Sequence, residues 1–469
     1  MTIQFPPRGT GIPGEPDFSP RSQWHAPHHL DDYWNYNETT PGGVLLGRFG
    51  DRLLGRTDDR HIVTIAGSRA GKSQTVIIPN LRRYRGPVVV IDPKGELAAA
   101  TAETRRSWGH KVFILNPFHV HGWSSHGHNP CAELRGSSPE TVTADAAQLA
   151  DALIIDNSKD SHWTDSAKNL ITGFLLQTLT TAPESLSIRT LRSQISRAGS
   201  PDIFEAMALN EALDGVIQNI GLSFLAKFHN DGQRTGPNDE MLSVLATANA
   251  QTRALDDLAA VFNKHDFDLK EVSRSDVPVT IYLILPATRI PTHARWLRLF
   301  VYQLIAAVER NPIDRGRLPL WLVLEEFAAL GHVRSIEAAA GYFAGFGLKL
   351  WTILQDLTQI KTHYKDSWET FLGNAGVIQA FGTVDGTTNK YLSELLGQIT
   401  IRERQKNFVS ADQRAKGDDG VRYSVRAVPL LAPNEIRIHF ARETGRQLII
   451  VPHESPIYMD RLEIPHDER

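Results

Sequence analysis

Short runs of aliphatic and β-branched residues recur at His61 to Ile65, Val88 to Ile91 and Val112 to Leu115, and helical stretches starting at Lys72 and Glu96 separate them. Strand, helix and strand at this pitch predict parallel strands joined by crossover helices. From about Thr141 to Asp268 the β-branched runs stop. There ADAAQLADALI, DSAKNLITGFLLQTL and MLSVLATANAQTRAL carry apolar residues at helical spacing, separated by breaks at Pro183, Pro201 and Gly236-Pro237. Alternation resumes with VTIYLILPA at Val279, a helix in WLRLFVYQLIAAVER, and strands at Leu320 to Leu324, Leu348 to Leu354 and Val377 to Phe381. LIIVPHESPI reads as a terminal strand. The predicted organisation is an α/β domain over 45–140 and 269–469, interrupted by an all-α domain over 141–268. A Pro-rich extended arm over 1–44 precedes it, and the polar stretch Ala411 to Gly420 is predicted to be a mobile loop.

Composition narrows the classes. At 469 residues, 41% hydrophobic and 22% charged, the chain can bury a large core and is not predominantly disordered. The formal charge of -3 means that bulk charge attracts neither nucleic acid nor membrane, so any such partner must meet local patches. Candidates are Arg82-Arg83-Tyr84-Arg85 and Arg402 to Lys406. The first falls at the end of a predicted helix, where cations suit the dipole. One cysteine, Cys131, excludes an internal disulfide, and no apolar run approaches a membrane span. A cytoplasmic location is expected.

The most informative segment is HIVTIAGSRAGKSQTVIIPNL, an apolar strand running through Gly67, Ser68, Arg69, Ala70, Gly71, Lys72 and Ser73 into a helix. A phosphate loop has glycine, four residues, glycine, lysine and Ser/Thr, and Ala66 stands where the first glycine would be. Gly67 and Gly71 still allow backbone N–H groups to turn inward around ATP phosphates, with Lys72 reaching the β- and γ-phosphates and Ser73 ligating Mg²⁺. LPLWLVLEEF ends an apolar strand in Glu325, a candidate for the metal shell, and Glu326, a candidate general base. LKLWTILQ ends in Gln355, placed to sense the γ-phosphate or the attacking water. His119, His121, His126 and His128 flank Cys131 in a Gly/Ser-rich loop, which lacks the fixed spacing of a structural metal site.

With these segments placed, the chain resembles the type IV secretion coupling proteins, the TraG/TraD family of conjugative DNA-transfer ATPases. The blocks that carry the resemblance are the phosphate-loop segment, VVVIDPKGELAAAT with Asp92, Lys94, Gly95 and Glu96, WLVLEEFAALG, WTILQDLTQIKTHY, GTVDGTTNKYLSELLG and VPLLAPNEI, in that order. The resemblance implies a RecA-like motor domain that hydrolyses ATP with Mg²⁺, an all-α cargo domain at 141–268 and a homo-hexameric ring on DNA, with a monomer possible in isolation. It also implies partners: a relaxase-DNA complex or effector proteins as cargo, and the components of a secretion channel.

Four features depart from the family. Ala66 replaces glycine, and Glu325-Glu326 stands where Asp-Glu is common. EAAAGYFAGFG lacks the arginine that related rings offer a neighbouring subunit, so that arginine is either Arg334 or Arg289 or is missing. The usual amino-terminal membrane spans are absent, so recruitment to the inner membrane through a partner is expected. Two rival functions remain: an ATP-binding cargo adaptor with little turnover, and a cytosolic DNA pump of the FtsK/HerA type.

Overall fold

The structure is a computed structural model that describes residues 22–25, 30, 34–37, 42–154, 162–230, 233–234, 236–407 and 421–462. Most of the predicted arm and the whole of the predicted loop from Ala411 to Gly420 lie outside the described residues. In chain order the strands are β1 (Val44–Phe49), β2 (Arg52–Arg56), β3 (His61–Ala66), β4 (Val88–Ile91), β5 (Lys111–Leu115), β6 (His229–Asn230), β7 (Gln233–Arg234) and β8 (Val279–Leu283). They continue as β9 (Leu320–Leu324), β10 (Leu348–Leu354), β11 (Ala375–Phe381), β12 (Gln398–Lys406), β13 (Val421–Pro429), β14 (Arg446–Ile450) and β15 (Ile457–Asp460). The chain divides into two compact units, one of residues 1–84 and 353–469 and one of residues 85–352, with the division falling inside β10.

In the first unit the strand order is β2-β1-β15-β14-β11-β3. β3 and β11 are parallel, Ile65 opposite Ala380, whereas β14, β15, β1 and β2 add antiparallel. Every residue of β3 and β11 is buried, which is why both read as continuous apolar runs and not as alternating ones. Two of their polar members, Thr64 and Gln379, hydrogen bond each other at 3.1 Å; Gln379 donates to Gln447, and Gln447 donates to Leu46 O at 2.7 Å. This amide chain satisfies side chains that would otherwise be buried without partners. β12 and β13 form a separate antiparallel ribbon.

The second unit has the order β10-β9-β4-β8-β5, all parallel. Its β4, β8 and β9 are wholly buried, as a parallel sheet covered on both faces requires. The same unit holds the helices Val142–Leu153, His162–Thr181, Ile188–Arg197, Asp202–Ala208, Val216–Leu225 and Asp239–Thr252. Phe204 sits at the centre of their packing, with ring centroids of Phe174, Phe224 and Phe228 5.9, 5.6 and 5.7 Å away.

Two local features differ from the sequence expectation. The helix after β3 opens as a π turn, Ser73–Ile77, and only its last four residues, Ile78–Leu81, are α-helical. Pro79 has no N–H to give the α-ladder, and Ile78 N–H bonds back to Ser73 O in the wider pitch. The carboxy-terminal segment forms two antiparallel strands where one was expected, because His453 turns the chain at φ +68°.

Asn80 joins that helix to β1. A register irregularity between Leu45 and Gly47 leaves the Leu45 backbone to the Asn80 amide, which accepts from Leu45 N and donates to Leu45 O, each at 2.8 Å. Asn80 is 1% exposed. Asn80→Ala leaves both backbone groups unpaired in the interior and is expected to destabilise the protein by about 2–4 kcal/mol, read from the denaturant midpoint; a loss below about 0.5 kcal/mol contradicts the role.

Candidate functional site

Residues 67–73 connect β3 to the π turn, and their shape follows from unusual backbone angles. Arg69 and Gly71 have φ +56° and +87°. Left-handed residues alternating with ordinary ones turn successive N–H groups to one side, the geometry of an anion nest. Thr75 closes the far end, its N–H and hydroxyl both donating to Gly71 O at 2.9 Å. At the near end Gly67 packs against the loop after β11 so closely that a Cβ there would lie 2.0 Å from Gly382 O. Glycine is obligatory at Gly67 because of this contact, whereas Ala66 is the last, fully buried residue of β3 and has ordinary strand geometry.

Sequence reasoning missed the residue beneath the loop. Arg461, just past β15 and 8% exposed, donates to Ala70 O and to Arg442 O, and its guanidinium covers the Phe381 ring at 4.7 Å. A cation bound to a loop carbonyl fixes the direction of the Ala70-Gly71 peptide plane, and thus of the Gly71 N–H. No local signal could have revealed it, since the partners are 391 positions apart.

Gln355 lies in the same unit as the loop, directly after β10. Its N–H donates to Gln359 Oε1 at 3.2 Å, and the next residue, Asp356, caps the helix Leu357–Tyr364 by accepting from Gln359 N at 3.1 Å. Leu357 N–H donates to Thr388 Oγ1 at 2.9 Å, anchoring the same turn. The glutamine thus sits on a turn held at both ends, with a helix directly behind it.

Glu325 and Glu326 follow β9 in the second unit. Glu325 is 8% exposed. Glu326 adopts φ +57°, a left-handed conformation that costs a non-glycine residue of order 1 kcal/mol or more and that clusters at functional positions. Beside them stands Asp92, the residue after β4 and 0% exposed. Its Oδ2 accepts from Ala98 N at 2.8 Å, while Oδ1 has no hydrogen-bond partner among the described residues. Burial pushes the Asp92 carboxyl up to about 6, against the opposing backbone N–H groups of the helix Glu96–Ser107.

The loop histidines disperse to separate partners. His119 meets Trp123 O, His121 meets Lys94 O, His126 accepts from Ile114 N and His128 meets Glu133. Ligand atoms of Glu133, His265 and Asp268 come within 4.8 Å of one another, and hydrogen bonds engage all three. Glu133 accepts from Leu269 N, His265 Nδ1 accepts from Asn129 N, and His265 Nε2 donates to Asp268.

A family model described as type IV secretory system conjugative DNA transfer matches residues 34–464. The chain is 25% identical over 455 residues to protein VirD4 of Agrobacterium fabrum, covering 93% of this chain and 65% of that one. It is 27% identical over 429 residues to the conjugal transfer protein TraG of Escherichia coli, covering 84% and 65%. The chain therefore spans less than two thirds of the length of either relative. Among solved structures it is similar to the trigonal form of the bacterial conjugative coupling protein TrwBdeltaN70 in complex with sulphate, with TM-score 0.68, 16% identity, and 98% and 97% of the two chains covered. It is also similar to the plasmid coupling protein TrwB in complex with ADP and Mg²⁺, at TM-score 0.67, 16% identity, and 95% and 94% covered. At that identity the likeness is one of fold, an α/β fold with a mostly parallel sheet.

Two outcomes follow from the geometry. Gly67→Ala forces the loop off Gly382 and is expected to weaken binding of a fluorescent ATP analogue at least roughly tenfold with unchanged far-UV circular dichroism; affinity within about twofold of wild type contradicts the close contact as the loop's determinant. The second concerns the nucleotide-free, metal-free protein. The folded-state value of Asp92 is raised, so its contribution to stability is fully present below the unfolded value of 3.8 and is lost as pH rises through about 6. Asp92→Asn is therefore expected to raise the thermal midpoint by a few degrees at pH 8, the gap closing toward pH 4; a gap independent of pH contradicts the burial argument.

Proposed function

We propose that this chain, which belongs to the type IV secretory system conjugative DNA transfer family, is an ATP-hydrolysing coupling protein. It recruits DNA bound to a relaxase, or a secreted effector protein, and drives the cargo toward a type IV secretion channel. The observation that carries the reading is the turn from Gly67 to Ser73. It stands between a buried strand and a helix, with positive φ at Arg69 and Gly71, in a chain that matches the family along 34–464.

In this reading the loop of Gly67, Ser68, Arg69, Ala70, Gly71, Lys72 and Ser73 holds the triphosphate of ATP, with the N–H groups of Gly67 and Ala70 fixing the loop's shape through bonds to Phe381 O and Gly67 O, and the Lys72 ammonium neutralises the β- and γ-phosphates. The donor set fits magnesium: the Ser73 hydroxyl would ligate the ion and Glu325 would hold its waters. Bound magnesium supplies charge neutralisation of the phosphate oxygens. Glu326 accepts the proton of the water that attacks the γ-phosphorus as the bond to ADP breaks, and the left-handed backbone at Glu326 aims that carboxylate independently of Glu325. Gln355 senses the γ-phosphate and passes its loss to the helix Leu357–Tyr364.

The family resemblance supports a homo-hexameric ring working on DNA and a cargo-recognising all-α domain over 141–268. No helix among the described residues is long and apolar enough to cross a membrane. We assign contact with the inner membrane to a partner protein. A second reading, an ATP-binding adaptor with little turnover, is favoured by Glu325 in the place of aspartate and by the lack of arginine in EAAAGYFAGFG.

ATP turnover with and without single-stranded DNA, measured for wild type, Lys72→Ala and Glu326→Gln, decides between them. The motor predicts DNA-stimulated turnover that falls at least about 100-fold in both variants. The adaptor predicts nucleotide binding lost in Lys72→Ala with turnover no higher in wild type than in Glu326→Gln.

A further inference from the structure

We propose that Asp92 is a further carboxylate of the hydrolytic centre: a positioning residue whose Oδ1 accepts a hydrogen bond from a water of the magnesium shell that Glu325 holds. The assignment deepens the ATPase reading and rests on it. Three observations carry it.

The first is position. Ile91 at the end of β4 is the register partner of Leu324 at the end of β9, so Asp92 and Glu325 are each one residue beyond a paired position on adjacent parallel strands. Such neighbours leave the sheet on the same side, with strands spaced about 4.8 Å apart. That distance suits two carboxylates that share one hydrated ion.

The second is the unused oxygen. Asp92 is 0% exposed, and its Oδ1 finds no partner among the described residues. A buried acceptor left in that condition is costly, and more so when charged, so its retention points to a partner present in the working state.

The third is that a structural duty accounts for only half of the side chain. The bond from Ala98 N to Oδ2 steadies the start of the helix Glu96–Ser107. One oxygen is enough for that bond, and an uncharged asparagine or serine would provide it with no charge to bury. The capping position itself is taken by Gly95 at φ +73°.

The test is a magnesium titration of fluorescent ATP-analogue binding on the full chain. It compares wild type, Asp92→Asn, Glu325→Gln and the double variant, with Mn²⁺ in place of Mg²⁺ for a parallel paramagnetic-resonance measurement of ion affinity. Loss of an outer-sphere partner predicts a metal midpoint raised roughly 10-fold or more in Asp92→Asn, with analogue affinity in EDTA unchanged. The two single effects are predicted to be non-additive, since both residues hold one ion. A wild-type metal midpoint in Asp92→Asn, affinity lost equally with and without metal, or strict additivity overturns the proposal and leaves Asp92 as a helix-steadying residue. Failure of the underlying ATPase reading looks different. Wild type itself would then show no metal-dependent affinity, and this assignment would fall with it.

Discussion

The structure of the first unit turns on a contact between two stretches of backbone. Where the parallel strands β3 and β11 end, Gly67 lies against the carbonyl of Gly382 with no room for a side-chain carbon. Gly382 itself needs φ +62°, and a Cβ on it would meet Ala70. Two glycines therefore clasp the loop from both sides, and Arg461 ties its third point, the Ala70 carbonyl. Inside the loop Ala70 N–H donates to Gly67 O at 3.2 Å, and the rest of its shape is imposed from outside. The outside here is the carboxy-terminal part of the chain: Phe440, whose carbonyl accepts from Gly382 N, Arg442 and Arg461.

A complementary constraint governs the second unit. A parallel sheet with both faces buried can carry charge only at its strand ends, and there Asp92 and Glu325 are nearly excluded from water while Glu326 is half-exposed. Burial of the Asp92 carboxyl reduces the stability of the apo protein above the pH at which it ionises. In the proposed chemistry a cation and its waters would offset that cost.

Much of this was legible in the sequence, for stated physical reasons. Buried parallel strands must be continuous apolar runs, and so β4 at Val88–Ile91, β9 at Leu320–Leu324 and β10 at Leu348–Leu354 lie where the pattern placed them. The structure has Gly67 to Ser73 between a buried strand and a helical turn, and Glu325 and Glu326 just past β9, where the glycine and lysine spacing and the apolar runs put them. What stayed hidden depends on contacts distant in sequence. The clasp of Gly67 by Gly382, the reach of Arg461 to Ala70 and the unpaired Oδ1 of Asp92 have no local signature. The π turn after the loop was legible in principle, since Pro79 announces a missing N–H. A helix of only a few residues leaves too little periodicity to reveal it. The split of the carboxy-terminal segment into β14 and β15 likewise hinges on one left-handed residue, His453, that no apolar pattern encodes.

The account stands on the claim that the loop's backbone N–H groups, held open by the first unit's own packing, are what grips phosphate. Amide hydrogen exchange resolved to single residues, with and without a magnesium-bound non-hydrolysable ATP analogue, tests this most directly. The account predicts that Gly71, Lys72 and Ser73 become strongly protected on binding, while the already packed Ala66 and Phe381 change little. Binding that leaves the exchange of those three amides unaltered would contradict it.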